Sequence, residues 1–273
     1  VSDIFLNSKL DEKEIERERG VILDELNMYL DTPIRYIGNL WTDLLYGDQP
    51  AGWRVIGAKE VIKSVKRPHF VQYLKDHYLT KNTLITIAGK IDSNEAVEKI
   101  KKYFSKIRIG QPKTKLKVKE KQNQPASLIH YKKTDQTHLY LGVRAYGIFH
   151  PDKYALGILA TILGGYMSSR LWIAVREREG LGYYIRTGAE TDTDSGYLAT
   201  RAGIDNQRAD KAIKIILKEY KRISRQKVSA QELQKAKDNI KGGALLDMES
   251  SDSQASFFAG QEILTGEILT LEE

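Results

Sequence analysis

Two pairs of side chains have the types and spacing to do chemistry. The first is Glu18 and Glu25, within residues 11–30, where Ile15, Ile22, Leu26 and Tyr29 recur at helical intervals. At about 100° per residue both carboxylates border that apolar stripe, roughly 10.5 Å apart along one side of the helix. A carboxylate on a core-facing edge must be paired, hydrogen-bonded or metal-bound, because an unpaired buried charge is very costly. The pair can be a metal ligand with a supporting carboxylate, or can bridge to Arg17, Arg19 or a neighbouring element. Spacing alone favours the bridges.

The second pair is Arg176 and Tyr183, seven residues apart across the Gly180-Leu-Gly182 turn. A guanidinium and a phenol can hold a peptide carbonyl and stabilise a developing oxyanion. Equally, Arg176 can pair with Glu177 or Glu179 beside a core tyrosine. The five histidines, at 69, 77, 130, 138 and 150, include no pair at the four-residue spacing of a helical zinc face. Each reads as a surface or packing residue, and this chain alone does not assemble a complete zinc site.

The elements that must position these residues follow from pattern. A turn at Asp31-Thr-Pro33 separates the first helix from a second containing Trp41, Leu44 and Leu45. Short helices are predicted at 58–65 and from Pro68, a buried strand at 83–88 (TLITIA), and a helix at 94–104. The Lys-rich 112–125 stretch reads as a solvated linker rather than an anion-binding tail. Beyond it, strands are predicted at 127–131, 138–145, 184–189 and 196–201. Helices are predicted at 152–163, 207–223 and 230–246, with a helical piece between Gly164-Gly165 and Gly180-Leu-Gly182. This mixture predicts an α+β fold with helices on one face of an antiparallel sheet. The domains are expected at 1–111 and 126–273.

With 273 residues, 41% hydrophobic and 29% charged, the chain is neither disordered nor fibrous. The +7 net charge is spread through a chain also rich in acid, so nucleic acid is not implied as a partner. Absence of cysteine excludes disulfides and cysteine-ligated zinc. No apolar run is long enough to span a membrane, and a cytoplasmic location is the preferred expectation. The first residue is Val rather than Met, so the native start is expected to lie upstream.

Together the two pairs resemble the pitrilysin-type (M16, inverzincin) zinc peptidases. Residues 15–25, IERERGVILDE, resemble the family helix that carries the third zinc ligand. Residues 28–33 (MYLDTP), 77–82 (HYLTKN), 165–171 (GYMSSRL) and 176–183 (REREGLGY) are also similar to the family. The resemblance implies two α/β-layered domains of the pitrilysin or mitochondrial processing peptidase type. It implies Glu25 as zinc ligand, Glu18 as supporting carboxylate, and Arg176 and Tyr183 as the pair that grips the substrate carbonyl. It further implies zinc-dependent hydrolysis of peptides or unfolded polypeptides in a clamshell chamber, by a homodimer or a heterodimer with a related subunit. The family's inverted His-x-x-Glu-His motif is not among these residues. The expectation is therefore a piece of a longer peptidase, lacking the start of the first domain and the end of the second, and by itself inactive and without zinc. The rival reading is a non-catalytic scaffold or substrate-presenting subunit of the same fold.

Overall fold

A computed structural model describes residues 1–272. In chain order its helices are α1 (Ser2–Leu6), α2 (Glu12–Asp31), α3 (Pro33–Tyr46), α4 (Lys59–Ser64), α5 (Arg67–His77), α6 (Ser93–Phe104), α7 (Lys153–Gly164), α8 (Ala209–Arg225), α9 (Ala230–Asp247) and α10 (Ser251–Thr265). Three strands, β1 (Gln136–Arg144), β2 (Gly182–Thr191) and β3 (Gly196–Asp205), form one antiparallel sheet in the order β1-β3-β2. Helices layered on an antiparallel sheet make this an α+β chain. The break before α3 has a local cause: Pro33 fits a first helical turn but not a helix interior.

The chain forms two compact units. One holds Val1–Asp31, Arg54–Leu116 and the residues from 247 onward; the other holds Thr32–Trp53 and Lys117–Leu246. The crossing at 116/117 falls inside the Lys-rich stretch, while α3 groups with the second unit and α10 with the first.

In the first unit α2 packs on α4, and Phe5 of α1 lies 4.9 Å from Tyr78 and 6.0 Å from Phe104 between ring centroids. Asp92 caps α6 by accepting from the Glu95 amide at 2.9 Å. Residues 83–88, expected as a buried strand, are not one. Leu84 is 42% and Ile87 48% exposed, and among the described residues no strand pairs with this segment. Its β-branched composition is right for a strand, but a strand exists only against a hydrogen-bonded neighbour. The same correction applies in the second unit to 127–131, where Ile129 is 92% exposed.

In the second unit the alternation of β3 sorts its side chains between two faces. Leu198, Thr200, Ala202 and Ile204 face inward with Leu139 and Ile185, covered by Leu156 and Leu163 of α7 and Ile216 of α8. Thr200 is buried there and shares hydrogen bonds with Thr187 at 2.7 Å and Tyr220 at 2.9 Å, satisfying hydroxyls that would otherwise be costly. On the opposite face the Trp41 ring of α3 lies 5.6 Å between centroids from both Tyr140, tilted, and Tyr197, edge-on. Arg144 secures this cover. Its guanidinium donates to Glu120 at 2.8 Å, to Gln122 at 3.1 Å and to the Leu45 carbonyl at the end of α3.

Two features of α7 and α9 are testable. Gly164 packs so closely on β2 that a Cβ there would lie 2.5 Å from the Thr187 backbone nitrogen, whereas a Cβ at Gly157 in the same helix meets open space. Gly164→Ala should therefore lower stability by about 1–3 kcal/mol, and Gly157→Ala should raise it by about 0.5–1 kcal/mol, as read by urea denaturation. Arg170 forks onto both oxygens of Glu232 in α9 at 2.6 Å, and this hydrogen bonding holds the Glu232 carboxyl below the usual glutamate range. A depressed folded-state value gives stability that is present above the unfolded value, about 4.3, and lost as pH falls through the folded one. Glu232→Gln should cost about 2 kcal/mol at neutral pH, and the gap between variant and parent should shrink as the pH of the denaturation series is lowered toward 3.

Candidate functional site

The two constellations lie in different units. In the first, the arginines around Glu18 are already engaged. Arg17 pairs with Glu14 at 2.8 Å and Arg19 with Glu16 at 2.7 Å. Arg19 also reaches α4, donating to the Ile62 carbonyl and, at 2.8 Å, to the Val65 carbonyl. That places a cation at the end of a helix where orphan carbonyls concentrate. Neither Glu18 nor Glu25 therefore forms the bridge to Arg17 or Arg19 that spacing favoured. Among the described residues neither carboxylate has a hydrogen-bond or ion-pair partner. Glu18 is exposed; Glu25 is half-buried beside Leu26, the buried residue of α2.

The histidines are occupied elsewhere. His69 Nδ1 accepts from the Lys66 amide at 2.9 Å, His77 stacks on Tyr73, and His130 meets Tyr36 edge-on. His138 Nδ1 lies 3.0 Å from the Tyr184 hydroxyl, and burial pushes its pKa down. His150 stacks on Tyr146 at 3.8 Å between ring centroids. Among the described residues no three His, Cys, Asp or Glu side chains converge on a point where a metal could sit. Zinc sites need three or four such donors, so the described residues do not by themselves fit zinc. Glu25 offers one carboxylate only.

In the second unit the geometry around Arg176 is well defined. After α7 the chain makes a π-helical turn, Trp172–Glu177, locked into the core through Leu171, Val175 and Leu181, all essentially without exposed surface. The Leu181 amide donates to the Val175 carbonyl at 2.9 Å, and Gly180, at φ +57°, reverses the chain between them. Arg208 donates to the Gly180 carbonyl at 2.9 Å, and Lys211 pairs with Glu179. These contacts fix where β2 starts.

That start is irregular. Gly182 registers with Ile204 and Tyr184 with Gly203, leaving Tyr183 as the extra residue of a β-bulge. Bulges re-aim a side chain and free its backbone from the ladder. Both effects operate here: the Tyr183 phenol is 63% exposed, and its carbonyl accepts from Arg176 Nη1. The Arg176 guanidinium also lies 4.8 Å over the Trp172 ring, a cation–π contact that further restricts it. Arg176 is thus paired with neither Glu177 nor Glu179, and Tyr183 is not a core residue. Sequence reasoning missed Trp172 and the bulge. The four-residue spacing of Trp172 and Arg176 was a visible signal for the first; nothing local marks the second. Tyr184 points to the opposite side from Ile185, beside His138, and burial pushes its phenol up to about 12.

A family model described as the peptidase M16 inactive domain matches residues 64–240. The chain is 30% identical over 273 residues to an uncharacterized zinc protease of Bacillus subtilis, covering 100% of this chain and 66% of that protein. It is also 30% identical over 275 residues to an uncharacterized zinc protease of Mycobacterium leprae, covering 100% of this chain and 62% of that one. The chain therefore spans less than two thirds of the length of these relatives. Among solved structures, a protease from Helicobacter pylori matches with a TM-score of 0.85 at 23% identity, over 93% of this chain and 63% of that chain. A peptidase M16 inactive domain from Pseudomonas fluorescens matches with a TM-score of 0.87 at 18% identity, over 99% and 64% respectively. At those identities the likeness concerns the fold.

The turn that carries Tyr183 depends on Gly180. Gly180→Ala should cost about 1 kcal/mol, because a side chain in the left-handed region meets its own carbonyl. A shift in the urea midpoint at unchanged m-value would report it.

Proposed function

We propose, on the premise that the chain belongs to the M16 peptidase family, that it serves zinc-dependent hydrolysis of peptide bonds in peptides or unfolded polypeptides. In this reading Glu25 gives one carboxylate to the metal, Glu18 supports a neighbouring ligand, and the remaining donors come from elsewhere in the active enzyme. The observation that carries the proposal is the bulge at Tyr183, with its carbonyl held by a guanidinium that Trp172 also restricts. A donor aimed in advance needs little reorganisation as charge develops on a substrate carbonyl oxygen. The Tyr183 phenol has the exposure to reach such an oxygen, and the other donors of Arg176 have no acceptor among the described residues. Support for the acidic residue is of a different kind: a half-buried carboxylate without a partner is one that gains from a cation.

We further infer a paired active unit, in which the Arg176 and Tyr183 pair works beside the metal site of a second copy or a related subunit. A second reading is favoured by the family model's own description as an inactive domain. Under it the chain is a scaffold or presenting subunit, and the pair is architectural.

In the full-length protein, Glu25→Gln should remove bound zinc, measured by atomic emission, and abolish cleavage of a quenched fluorescent peptide. Tyr183→Phe should leave zinc in place and lower kcat/KM by about 10²–10³, the usual cost of one oxyanion donor. Normal zinc content in the first variant would refute the metal role of Glu25. Unchanged turnover in the second, and in Arg176→Lys, would make the pair architectural, and no cleavage by the parent protein would favour the scaffold.

A further inference from the structure

The sheet face opposite the α7 and α8 core carries a second arrangement that the reading above does not use. Its side chains form rows across the three strands. Tyr140, Arg201 and Arg186 make one row, Gly142, Ala199 and Gly188 the next, and Arg144, Tyr197 and Glu190 the one after. Trp41 of α3 covers the Tyr140 and Tyr197 side of this face. On the β2 side the face is open, since Gly188 is exposed and a Cβ there would meet nothing within 4 Å. Gly188 and Ala199 of the middle row thus floor a trough of about 290 Å³, with Arg186 and Arg201 lining it at one end and Glu190 at the other.

Arg186 and Arg201 are direct cross-strand partners. Like charges placed opposite each other in a sheet are destabilising, and here no acid offsets them. Arg186 donates to the Gly165 carbonyl at 3.0 Å, and the Arg201 guanidinium has no hydrogen-bond or ion-pair partner among the described residues. Arg144, on the same face, shows what a structural arginine looks like in this fold: every nitrogen of its guanidinium has an acceptor. A local rule broken without compensation is where a binding function is to be sought.

We infer that Arg186 and Arg201 form a subsite for a carboxylate of a bound peptide. Two guanidinium groups side by side match a carboxylate with charge-assisted, geometrically specific hydrogen bonds. Glu190 lies four residues from Arg186 along β2, about 13 Å away. It makes the trough dipolar, which suits a peptide whose acid lies at one end and whose amide or cationic groups lie at the other. A compact dianion such as phosphate would gain less from that arrangement. The volume admits one or two side chains. The inference rests on the peptidase reading only in taking the ligand to be a peptide.

The test is binding without turnover, by fluorescence anisotropy with a neutral BODIPY label at low salt. Three peptides of one length are compared: neutral with an amidated terminus, the same with one internal Glu, and the same with a free terminal carboxylate. At least one acidic peptide should bind about tenfold tighter than the neutral one, and which one does so separates a side-chain carboxylate from a chain terminus. Arg201→Gln should abolish the preference, Arg186→Gln should weaken it, and Lys221→Gln, on the exposed surface of α8, should leave it intact. The Arg201 side chain is exposed and makes no hydrogen bond or ion pair, so its replacement leaves folding undisturbed. Three results would each overturn the inference: no preference, a preference that survives Arg201→Gln, or an equal loss in Lys221→Gln. Displacement of the acidic peptide by inorganic phosphate at concentrations where acetate has no effect would overturn the choice of carboxylate. A protein without peptidase activity that keeps the preference would leave this subsite standing while the peptidase reading falls.

Discussion

One strand dictates the arrangement of the second unit. β3 is hydrogen-bonded along both edges, so its register against β1 and β2 is fixed and its side chains have no freedom to exchange faces. Thr200, buried at its centre, ties β2, β3 and α8 together, because its hydroxyl is shared with Thr187 of β2 and Tyr220 of α8. A residue later the strand must point the other way, and that obligation alone puts Arg201 opposite Arg186 on the far face. The position of the functional candidates is therefore a by-product of satisfying the core. The packing of Gly164 against Thr187 brings α7 close enough to close that core.

Much of this was legible in the amino-acid order, and the exceptions share one cause. The periodicity of Ile15, Ile22, Leu26 and Tyr29 and the proline at 33 mark α2 and α3 because helices are made of local contacts. The strands β2 and β3, joined by a short connection, were legible because their alternation is strong and they pair with each other. Residues 83–88 and 127–131 also carry strand-like apolar side chains, but strand identity belongs to two segments jointly, and no strand pairs with either among the described residues. The bulge at Tyr183 is likewise a relation between strands, invisible from one of them.

The side chains of the candidate site divide in the same manner. Spacing singled out Glu18, Glu25, Arg176 and Tyr183, because intervals of seven are a property of the chain itself. Their partners were beyond its reach. Arg19, a candidate partner for Glu18 or Glu25, bonds instead to Glu16 and to carbonyls more than forty residues away, and Arg176 bonds a backbone atom where an acidic side chain was an open alternative. In both cases a guanidinium took main-chain oxygens that local structure had left without donors. Such oxygens are created by helix ends and bulges, which are themselves consequences of tertiary packing.

The contact between Arg176 and residue 183 ends on a peptide oxygen, an atom that every amino acid possesses. The architecture of the turn is thus blind to what side chain stands there: histidine, phenylalanine or tyrosine would be gripped alike. The side chain at that spot can therefore be exchanged without the scaffold registering the change, so the turn and the group it displays are free to vary separately.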